Sequence, residues 1–384
     1  MKKLVYMDNA ATTRLSQVAY DAMVPFLVEK YGNPSSIYSI GREAKKALEN
    51  AREKIAGAIG AAPKEIFFTG GGTESDNWAI KSAVELRRNK GKHIITSAIE
   101  HPAVLNTIKY LEKNGCEATY LGVDNLGQIS LDELRGAIRS DTVLITIMTA
   151  NNEIGTILPI TEIGEIAHKN GVLFHTDAVQ AVGHIPVNVK DMNVDMLSFS
   201  GHKFGGARGV GVLFAKNGLR LPPLIHGGGQ EHGGRSGTEN VAGIVSVAAA
   251  LDDKLTQLPL IRVEQMRDKL IRELLTIPSA YLTGDPIKRL PGIASFVFEG
   301  IEGESMLLLL DQQGICASSG SACSSGSLDP SHVLLATGLP HEIAHGSLRF
   351  SLSEDNTDDD IDYLLEKLPG VISRLRDMSP VWRG

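Results

Sequence analysis

The chain has 384 residues, which is enough for two or three domains at about 150 residues per domain and too long for a small disulfide scaffold. Hydrophobic residues make up 42% and charged residues 22%, as in ordinary globular proteins, so a disordered or collagen-like chain is excluded. The net charge of −7 provides no general cationic surface for nucleic acid.

No stretch of the sequence predicts membrane insertion or secretion. The longest apolar run has 11 residues, whereas a membrane-spanning helix needs about 20. The N-terminus reaches Asp8 and Asn9 before any apolar run of signal-peptide length. The three cysteines, Cys116, Cys316 and Cys323, are too few for a disulfide framework. We therefore expect a cytoplasmic protein with at least one free thiol.

Short apolar runs alternate with helical segments between about residues 60 and 215. The predicted strands are Ile66–Thr69, His93–Thr96, Val143–Met148, Val172–His175, Met196–Phe199 and Val210–Phe214, and the helices between them include Glu74–Arg88 and Leu131–Ile138. This alternation predicts an α/β fold with a mostly parallel sheet covered by helices on both faces. Ligands of such sheets bind at the carboxyl ends of the strands.

The pattern changes after about residue 258. An amphipathic segment, Leu260–Leu275, precedes spaced strands around Phe296–Phe298 and Leu348–Phe350, and a closing helix follows Thr357. We therefore predict a large domain of residues 13–258 and a smaller α+β domain made of residues 1–12 and 259–384.

A glycine turn, Gly70-Gly71-Gly72-Thr73-Glu74, follows the first predicted strand and opens a helix. The backbone N–H groups of such a turn form an anion site at the helix N-terminus, and a threonine hydroxyl adds a donor. The run lacks the spacing of a nucleotide-binding loop. Taken alone, such a run is more often a tight strand-to-helix turn that binds no ligand.

Two further side chains follow predicted strands at the same edge. Asp177 comes after Val172–His175, and Lys203 comes after Met196–Phe199 among small and hydroxyl residues. A partly desolvated lysine has a lowered pKa and forms a Schiff base with an aldehyde. A lysine anchor, an aspartate for a pyridinium proton and a glycine turn for a phosphate are the features that pyridoxal phosphate requires. The combination predicts a pyridoxal-phosphate enzyme.

The motifs of the chain, in order, resemble those of cysteine desulfurases of the NifS/IscS type. Besides the segments around Asp177 and Lys203, the similar segments are Asp8–Thr13, Tyr31–Ser36, Thr69–Glu74, Glu100–His101, Asn151–Gly155, Gly227–Glu231, Arg235–Thr238 and Ser319–Cys323. The resemblance extends from about residue 7 to residue 382. It implies a class V aminotransferase of fold-type I, with a seven-stranded sheet, that acts as a homodimer and converts L-cysteine to L-alanine and an enzyme persulfide.

The resemblance also implies roles for individual residues. The implied catalytic residues are Cys323, which takes the sulfur, Lys203, which holds the cofactor and moves the α-proton, and His101, which stacks on the ring. The other implied cofactor-binding residues are Asp177, Gln180, Asn152, Gly72, Thr73, Ser200, His202 and, across the dimer interface, Thr238. Arg349 is implied to bind the substrate carboxylate beside Asn152, and no metal is expected.

The surroundings of the cysteines agree with these roles. The neighbours of Cys323 are small, polar or glycine, which is typical of an exposed loop and favours a nucleophile. Cys316 begins an apolar strand and Cys116 follows a helix end, so both are predicted to be packing residues. The implied sulfur acceptors belong to iron–sulfur cluster assembly or tRNA thiolation. Ala207 stands where the family usually has proline, and the C-terminus lacks the tail that longer relatives use for docking.

Three other functions remain as alternatives. His341-Glu342-Ile343-Ala344-His345 matches a zinc-hydrolase motif, although Pro340 and Gly346 leave room for only a short helix. A non-catalytic sulfur-relay subunit would keep the same fold. A selenocysteine or cystine lyase would use the same ring chemistry.

Overall fold

The computed structural model describes residues 3–319 and 329–382. Its strands are β1 Val5–Tyr6, β2 Ile66–Thr69, β3 His93–Ser97, β4 Glu117–Leu121, β5 Thr142–Thr146, β6 Leu173–Asp177, β7 Met196–Ser200, β8 Gly211–Ala215, β9 Ala280–Leu282, β10 Ile293–Phe298, β11 Ile315–Cys316 and β12 Ser347–Ser351. Its helices are α1 Gln17–Val28, α2 Ser39–Ala58, α3 Gly72–Leu86, α4 Pro102–Lys113, α5 Leu131–Ala137, α6 Ile160–Lys169, α7 Val241–Gln257, α8 Ile261–Leu274, α9 Gly303–Gln312, α10 His332–Ala336, α11 His341–Ala344 and α12 Asp358–Met378. Within these ranges, no helix combines the length and the apolar character needed to cross a membrane.

The central sheet has seven strands in the order β2-β8-β7-β6-β5-β3-β4. Strands β4, β3, β5, β6 and β7 are parallel, and β8 pairs antiparallel with both β7 and β2. This arrangement confirms the predicted α/β class. The apolar runs did not reveal β4, because an edge strand is only half covered and its residues Glu117–Tyr120 are exposed or half-buried.

The C-terminal part of the chain forms a separate antiparallel sheet in the order β12-β10-β9. The N-terminus joins it, since β1 pairs with β11 and Asp8 bridges to Ser351. One hydrophobic cluster accordingly draws only on residues 5–7 and 260–372. The boundaries at residues 12/13 and 258/259 stay a prediction, because Val297 and Val333 pack in the cluster of the central sheet.

Close backbone packing shapes the turn between β2 and α3. Gly71 has φ 156°, a value that residues with a Cβ rarely adopt. A Cβ on Gly211 of β8 would lie only 2.4 Å from the carbonyl carbon of Gly71. The two glycines therefore let β8 run directly against the turn, which places the N-terminus of α3 at the carboxyl ends of the neighbouring strands.

Candidate active site

A cavity of about 300 Å³ opens at the carboxyl ends of the parallel strands. Of the predicted site residues, it brings together Gly72, Thr73, His101, Asn152, Asp177, Gln180, Ser200, His202, Lys203 and Arg349. Thr238 is exposed and does not line this cavity. Cys323, the predicted nucleophile, lies outside the described residues.

Lys203 lies on a short turn directly after β7. Its Nζ donates hydrogen bonds to the carbonyl oxygens of Ala10 at 2.7 Å and Ala11 at 2.9 Å. The N-terminal segment is held against the lysine turn, because Thr13 donates from its backbone N–H and its hydroxyl to the carbonyl of His202. Two chain segments almost 200 residues apart thus fix the ε-amine inside the cavity.

Two buried carboxyl groups, those of Asp177 and Asp76, also line the cavity. Oδ1 of Asp177 accepts a hydrogen bond from the N–H of Val179 at 2.9 Å. Burial raises the pKa of Asp177, and the nearby His101 and Lys203 oppose this shift. Asp76 is also fully buried, and its Oδ1 has no hydrogen-bond partner within the described residues. A protonated ring nitrogen would complete this acidic side of the cavity, which fits the pyridinium of pyridoxal phosphate.

His101 is the N-cap of α4, and its Nδ1 accepts a hydrogen bond from the N–H of Ala103 at 3.1 Å. An accepting Nδ1 carries no proton, so the proton of the neutral ring is on Nε2. Burial lowers the pKa of His101, while the charge of Asp177 works in the opposite direction. The imidazole is therefore neutral near pH 7 and has one nitrogen available for proton exchange.

The N-terminus of α3 supplies the other end of the cavity. Gly72 and Thr73 begin this helix, where backbone N–H groups lack partners in the preceding turn, and Ser200 and His202 adjoin them. Burial, together with Lys203 and Arg208, lowers the pKa of His202 to about 4, so its ring is neutral. Hydroxyl, imidazole and helix N–H groups form a donor set that fits a phosphate.

Arg349 on β12 is 4% exposed and lines the same cavity. Its Nη1 donates to the carbonyl of Asn152 at 2.7 Å, and its Nη2 donates to Oδ1 of Asp8 at 2.9 Å. Its buried Nε has no hydrogen-bond partner in the described part of the chain. A guanidinium with an unsatisfied N–H in a polar cavity is suited to a carboxylate ligand. The backbone of Arg349 also pairs in both directions with Ser318, one residue before the end of the first described range.

Comparisons with known proteins agree with this geometry. The sequence model of the aminotransferase class-V family matches residues 5–364. "Cysteine desulfurase IscS" of Methanosarcina thermophila is 55% identical over 99% of this chain and 94% of the relative. "Cysteine desulfurase IscS" of Clostridium botulinum (strain Hall) is 52% identical over 100% of this chain and 98% of the relative. The chain belongs to the class-V aminotransferase family, in its NifS/IscS group. The family recognised from the sequence motifs is confirmed.

Two solved structures share the fold over nearly the whole chain. A "NIFS-LIKE PROTEIN" has a TM-score of 0.92 and 41% identity, covering 98% of this chain and 100% of that one. The structure titled "SspA in complex with cysteine" has a TM-score of 0.82 and 38% identity, covering 92% of this chain and 99% of that one. Proteins of this family are generally pyridoxal-phosphate enzymes.

Several residues of this NifS/IscS-type site were not singled out from the sequence. Asp8 and the carbonyls of Ala10 and Ala11 lie in Asp8–Thr13, one of the segments that carry the resemblance. No short-range pattern indicates their contacts with Arg349 and Lys203. Asp76 had a weak signal, since it is four residues after Gly72 and thus on the same face of α3.

The zinc-like motif of this class-V family member falls on α11, a helix of only four residues. The rings of His341 and His345 contact each other with centroids 4.6 Å apart. In the described ranges, no three or more His, Cys, Asp or Glu side chains are grouped so that they could hold a metal ion.

Glu100, next to His101, makes a pH-dependent contribution to stability. Burial raises its pKa to about 8, although Ser97 and the N–H of Met148 donate hydrogen bonds to its carboxylate. The unfolded chain releases this proton near pH 4.5 and the folded chain only near pH 8, so the stability contributed by this group falls as the pH rises between these values.

We therefore expect Glu100→Gln to unfold like the wild type near pH 4.5 and to be more stable by roughly 2–5 kcal/mol near pH 8. The glutamine keeps an acceptor for Ser97 and Met148 and does not ionise. Urea unfolding at a series of pH values measures the difference, and Glu53→Gln at an exposed position is the control. A difference that stays constant between pH 4.5 and 8 would contradict the prediction.

Proposed function

We propose that this protein is a pyridoxal-phosphate-dependent cysteine desulfurase that converts L-cysteine to L-alanine and transfers the sulfur to the thiol of Cys323. The observation that carries the proposal is the single cavity that contains Lys203, Asp177, His101 and Arg349. It occurs in a chain that is 55% identical over nearly its full length to a protein named cysteine desulfurase.

The residues present fit the cofactor. Lys203 would hold its aldehyde carbon covalently, Asp177 its ring nitrogen and His101 one face of its ring. The residues proposed for its phosphate are Gly72, Thr73, Ser200 and His202, with Gln180 and Asn152 at the remaining edge. When bound, pyridoxal phosphate supplies an electron-withdrawing ring that stabilises negative charge at the substrate α-carbon.

The chain's own side chains perform the remaining tasks. Arg349 binds the carboxylate of L-cysteine and so orients its α-carbon toward Lys203. The ε-amine of Lys203 takes the α-proton and later returns a proton, and neutral His101 exchanges a proton at Nε2. The thiolate of Cys323 attacks the substrate sulfur, so that the C–S bond breaks as the S–S bond forms. The proton that the Cys323 thiol gives up balances the hydrogen that the substrate β-carbon gains when it becomes the methyl group of alanine.

We propose that the active protein is a homodimer. Thr238, the predicted phosphate ligand, is exposed on its own chain and lies outside the cavity, as expected for a residue that serves the partner subunit. The segment before α2 also carries an unusual concentration of exposed apolar side chains, which a second protomer would cover. These are Val18, Tyr20, Leu27, Val28, Tyr31, Ile37 and Tyr38.

The persulfide sulfur on Cys323 must pass to an acceptor before the enzyme can turn over again. We propose as that acceptor a cytoplasmic protein of iron–sulfur cluster assembly or tRNA thiolation, and the two relatives named "Cysteine desulfurase IscS" support the release of sulfur from cysteine. Selenocysteine and cystine remain alternative substrates, since they differ from cysteine only at the leaving group.

The test begins with the absorbance spectrum of the purified protein reconstituted with pyridoxal phosphate, followed by addition of L-cysteine. We expect a visible band that changes with cysteine, and alanine and sulfur in equal amounts. A protein that takes up no cofactor would instead favour the non-catalytic subunit. A higher kcat/KM for selenocysteine or cystine than for cysteine would favour the lyase.

Arg349→Lys is expected to raise the KM for L-cysteine about 10- to 100-fold with a smaller change in kcat. Lysine keeps the charge that faces Asp8 but loses the paired N–H groups that match a carboxylate. Steady-state kinetics measures the effect. Arg267→Lys, at another buried arginine that does not line the cavity, is the control. An unchanged KM in Arg349→Lys would show that another group binds the carboxylate.

A further inference from the structure

The loop of residues 226–238 is unusually rich in glycine, with six glycines among thirteen residues. Such a chain loses much conformational freedom when it is ordered. The loop nevertheless ends at Thr238, the residue proposed to reach the phosphate site of the partner subunit. A defined position for Thr238 therefore requires strong anchoring elsewhere in the loop.

The loop contains two consecutive non-glycine residues in the left-handed region. Glu231 has φ 47° and ψ 50°, and His232 has φ 56° and ψ 29°. This conformation is unfavourable for residues with a Cβ, so it persists only where the surrounding structure imposes it. Backbone strain of this kind indicates that contacts with the surrounding residues hold the loop in this one conformation.

A buried ion pair imposes this conformation. The carboxylate of Glu231 accepts hydrogen bonds from Nη1 of Arg52 at 2.8 Å, from Nη2 of Arg52 at 2.9 Å and from the N–H of Phe68 at 2.8 Å. The side chains of Arg52 and Glu231 are each only 3% exposed. Arg52 also donates to the carbonyl of Ile66 at 2.8 Å. The loop is thus fixed to α2 and to β2, the strand that leads into the glycine turn.

Further hydrogen bonds connect the residues near Glu231 with the end of the loop at Thr238 and with α3. Oε1 of Gln230, next to Glu231, accepts from the N–H of Gly237 at 3.2 Å, and Gly237 directly precedes Thr238. Nε of Arg235 donates to Oε1 of Glu74 at 2.9 Å in the first turn of α3. The N-terminus of α3, proposed to bind the phosphate on this chain, and Thr238, proposed to bind it in the partner subunit, are therefore both connected to the loop that the Arg52–Glu231 ion pair holds.

We propose that Arg52 and Glu231 are positioning residues, which hold the glycine-rich loop in the conformation that presents Thr238 to the cofactor phosphate in the partner subunit. Buried ion pairs contribute little net stability compared with apolar residues of similar size, and some of them specify a conformation instead. This inference rests on the proposed function, because it requires both the cofactor and the dimer.

The test compares the dissociation constant of pyridoxal phosphate in the full-length dimer. The double variant R52M/E231Q removes both charges together and keeps an acceptor for the N–H of Phe68, so no buried charge is left unpaired. We expect the dissociation constant to rise about 10- to 100-fold, as for the loss of a hydrogen bond to a charged group, and limited proteolysis of the apoprotein to cut the loop faster.

A double-mutant cycle separates positioning from general destabilisation. Thr238→Val alone is expected to weaken cofactor binding to a similar extent, and adding it to R52M/E231Q should change the dissociation constant by less than threefold. Additive effects, or an unchanged dissociation constant in R52M/E231Q, would overturn the inference. R267M, which removes a buried arginine paired with Glu264 and Asp268, is the control and should bind the cofactor like the wild type.

If R52M/E231Q does not fold, R52K is tested instead, because lysine keeps the charge but loses the bidentate contact with Glu231. R52K should still raise the dissociation constant. Wild-type affinity in R52K would overturn the inference. A wild-type chain that binds no pyridoxal phosphate would overturn the proposed function and this inference together, whereas normal wild-type binding with unaffected variants would overturn the inference alone.

Discussion

Lys203→Ala is expected to lose the visible absorbance band of the cofactor and to lower the turnover of L-cysteine by about 10²- to 10⁴-fold or more. The ε-amine lies inside the cavity, held by the carbonyls of Ala10 and Ala11. Its removal eliminates both the covalent attachment of the cofactor and the group proposed to move the α-proton. Absorbance spectra and alanine production measure the two losses separately.

Lys216→Ala is the matched control. Lys216 follows β8 and pairs at 3.7 Å with Asp195, away from the cavity. Its replacement should keep both the spectrum and the turnover. A Lys203→Ala protein that retained wild-type turnover would remove the central element of the proposed site. Loss of turnover with an unchanged spectrum would assign Lys203 to proton transfer alone.

Cys323→Ala is expected to keep the cofactor absorbance and to lower sulfur transfer by roughly 10³-fold or more, because the substrate sulfur then has no thiolate to attack it. The retained spectrum distinguishes this variant from Lys203→Ala. Persulfide formation on the protein, measured by labelling and mass spectrometry, and alanine production together report the loss.

The other two cysteines serve as controls for Cys323. Burial raises the pKa of both Cys116 and Cys316, which disfavours their thiolates. Cys116→Ala and Cys316→Ala should therefore transfer sulfur at the wild-type rate. Persulfide that remained on Cys323→Ala and disappeared from Cys316→Ala would move the nucleophile to Cys316.

Local sequence patterns predicted the elements that carry most of the cavity. The runs Ile66–Thr69 and Met196–Phe199 match β2 and β7 closely, because continuous apolar strands have a strong signal of their own. The closing helix begins directly after Thr357 as predicted, and the Thr357 side chain caps it by accepting from the N–H of Asp360. Edge strand β4 had no such signal, since half of its surface is not covered by the core.

The amino-acid sequence by itself determined the family, the α/β class and the residue types of the site. These features depend on short motifs and on the alternation of strands and helices, which are local properties of the chain. The order of the seven strands, with β8 alone running antiparallel between β7 and β2, was not among them.

Only the tertiary structure decided how distant segments complete the cavity. Asp8 reaches Arg349 across 341 residues, Ala10 reaches Lys203 across 193, and Arg52 reaches Glu231 across 179. Each of these contacts joins groups that have no periodic or short-range relation in the sequence. They form because the folded chain brings the N-terminal segment and the glycine-rich loop against the central sheet, where buried charged groups pair with one another or with backbone groups.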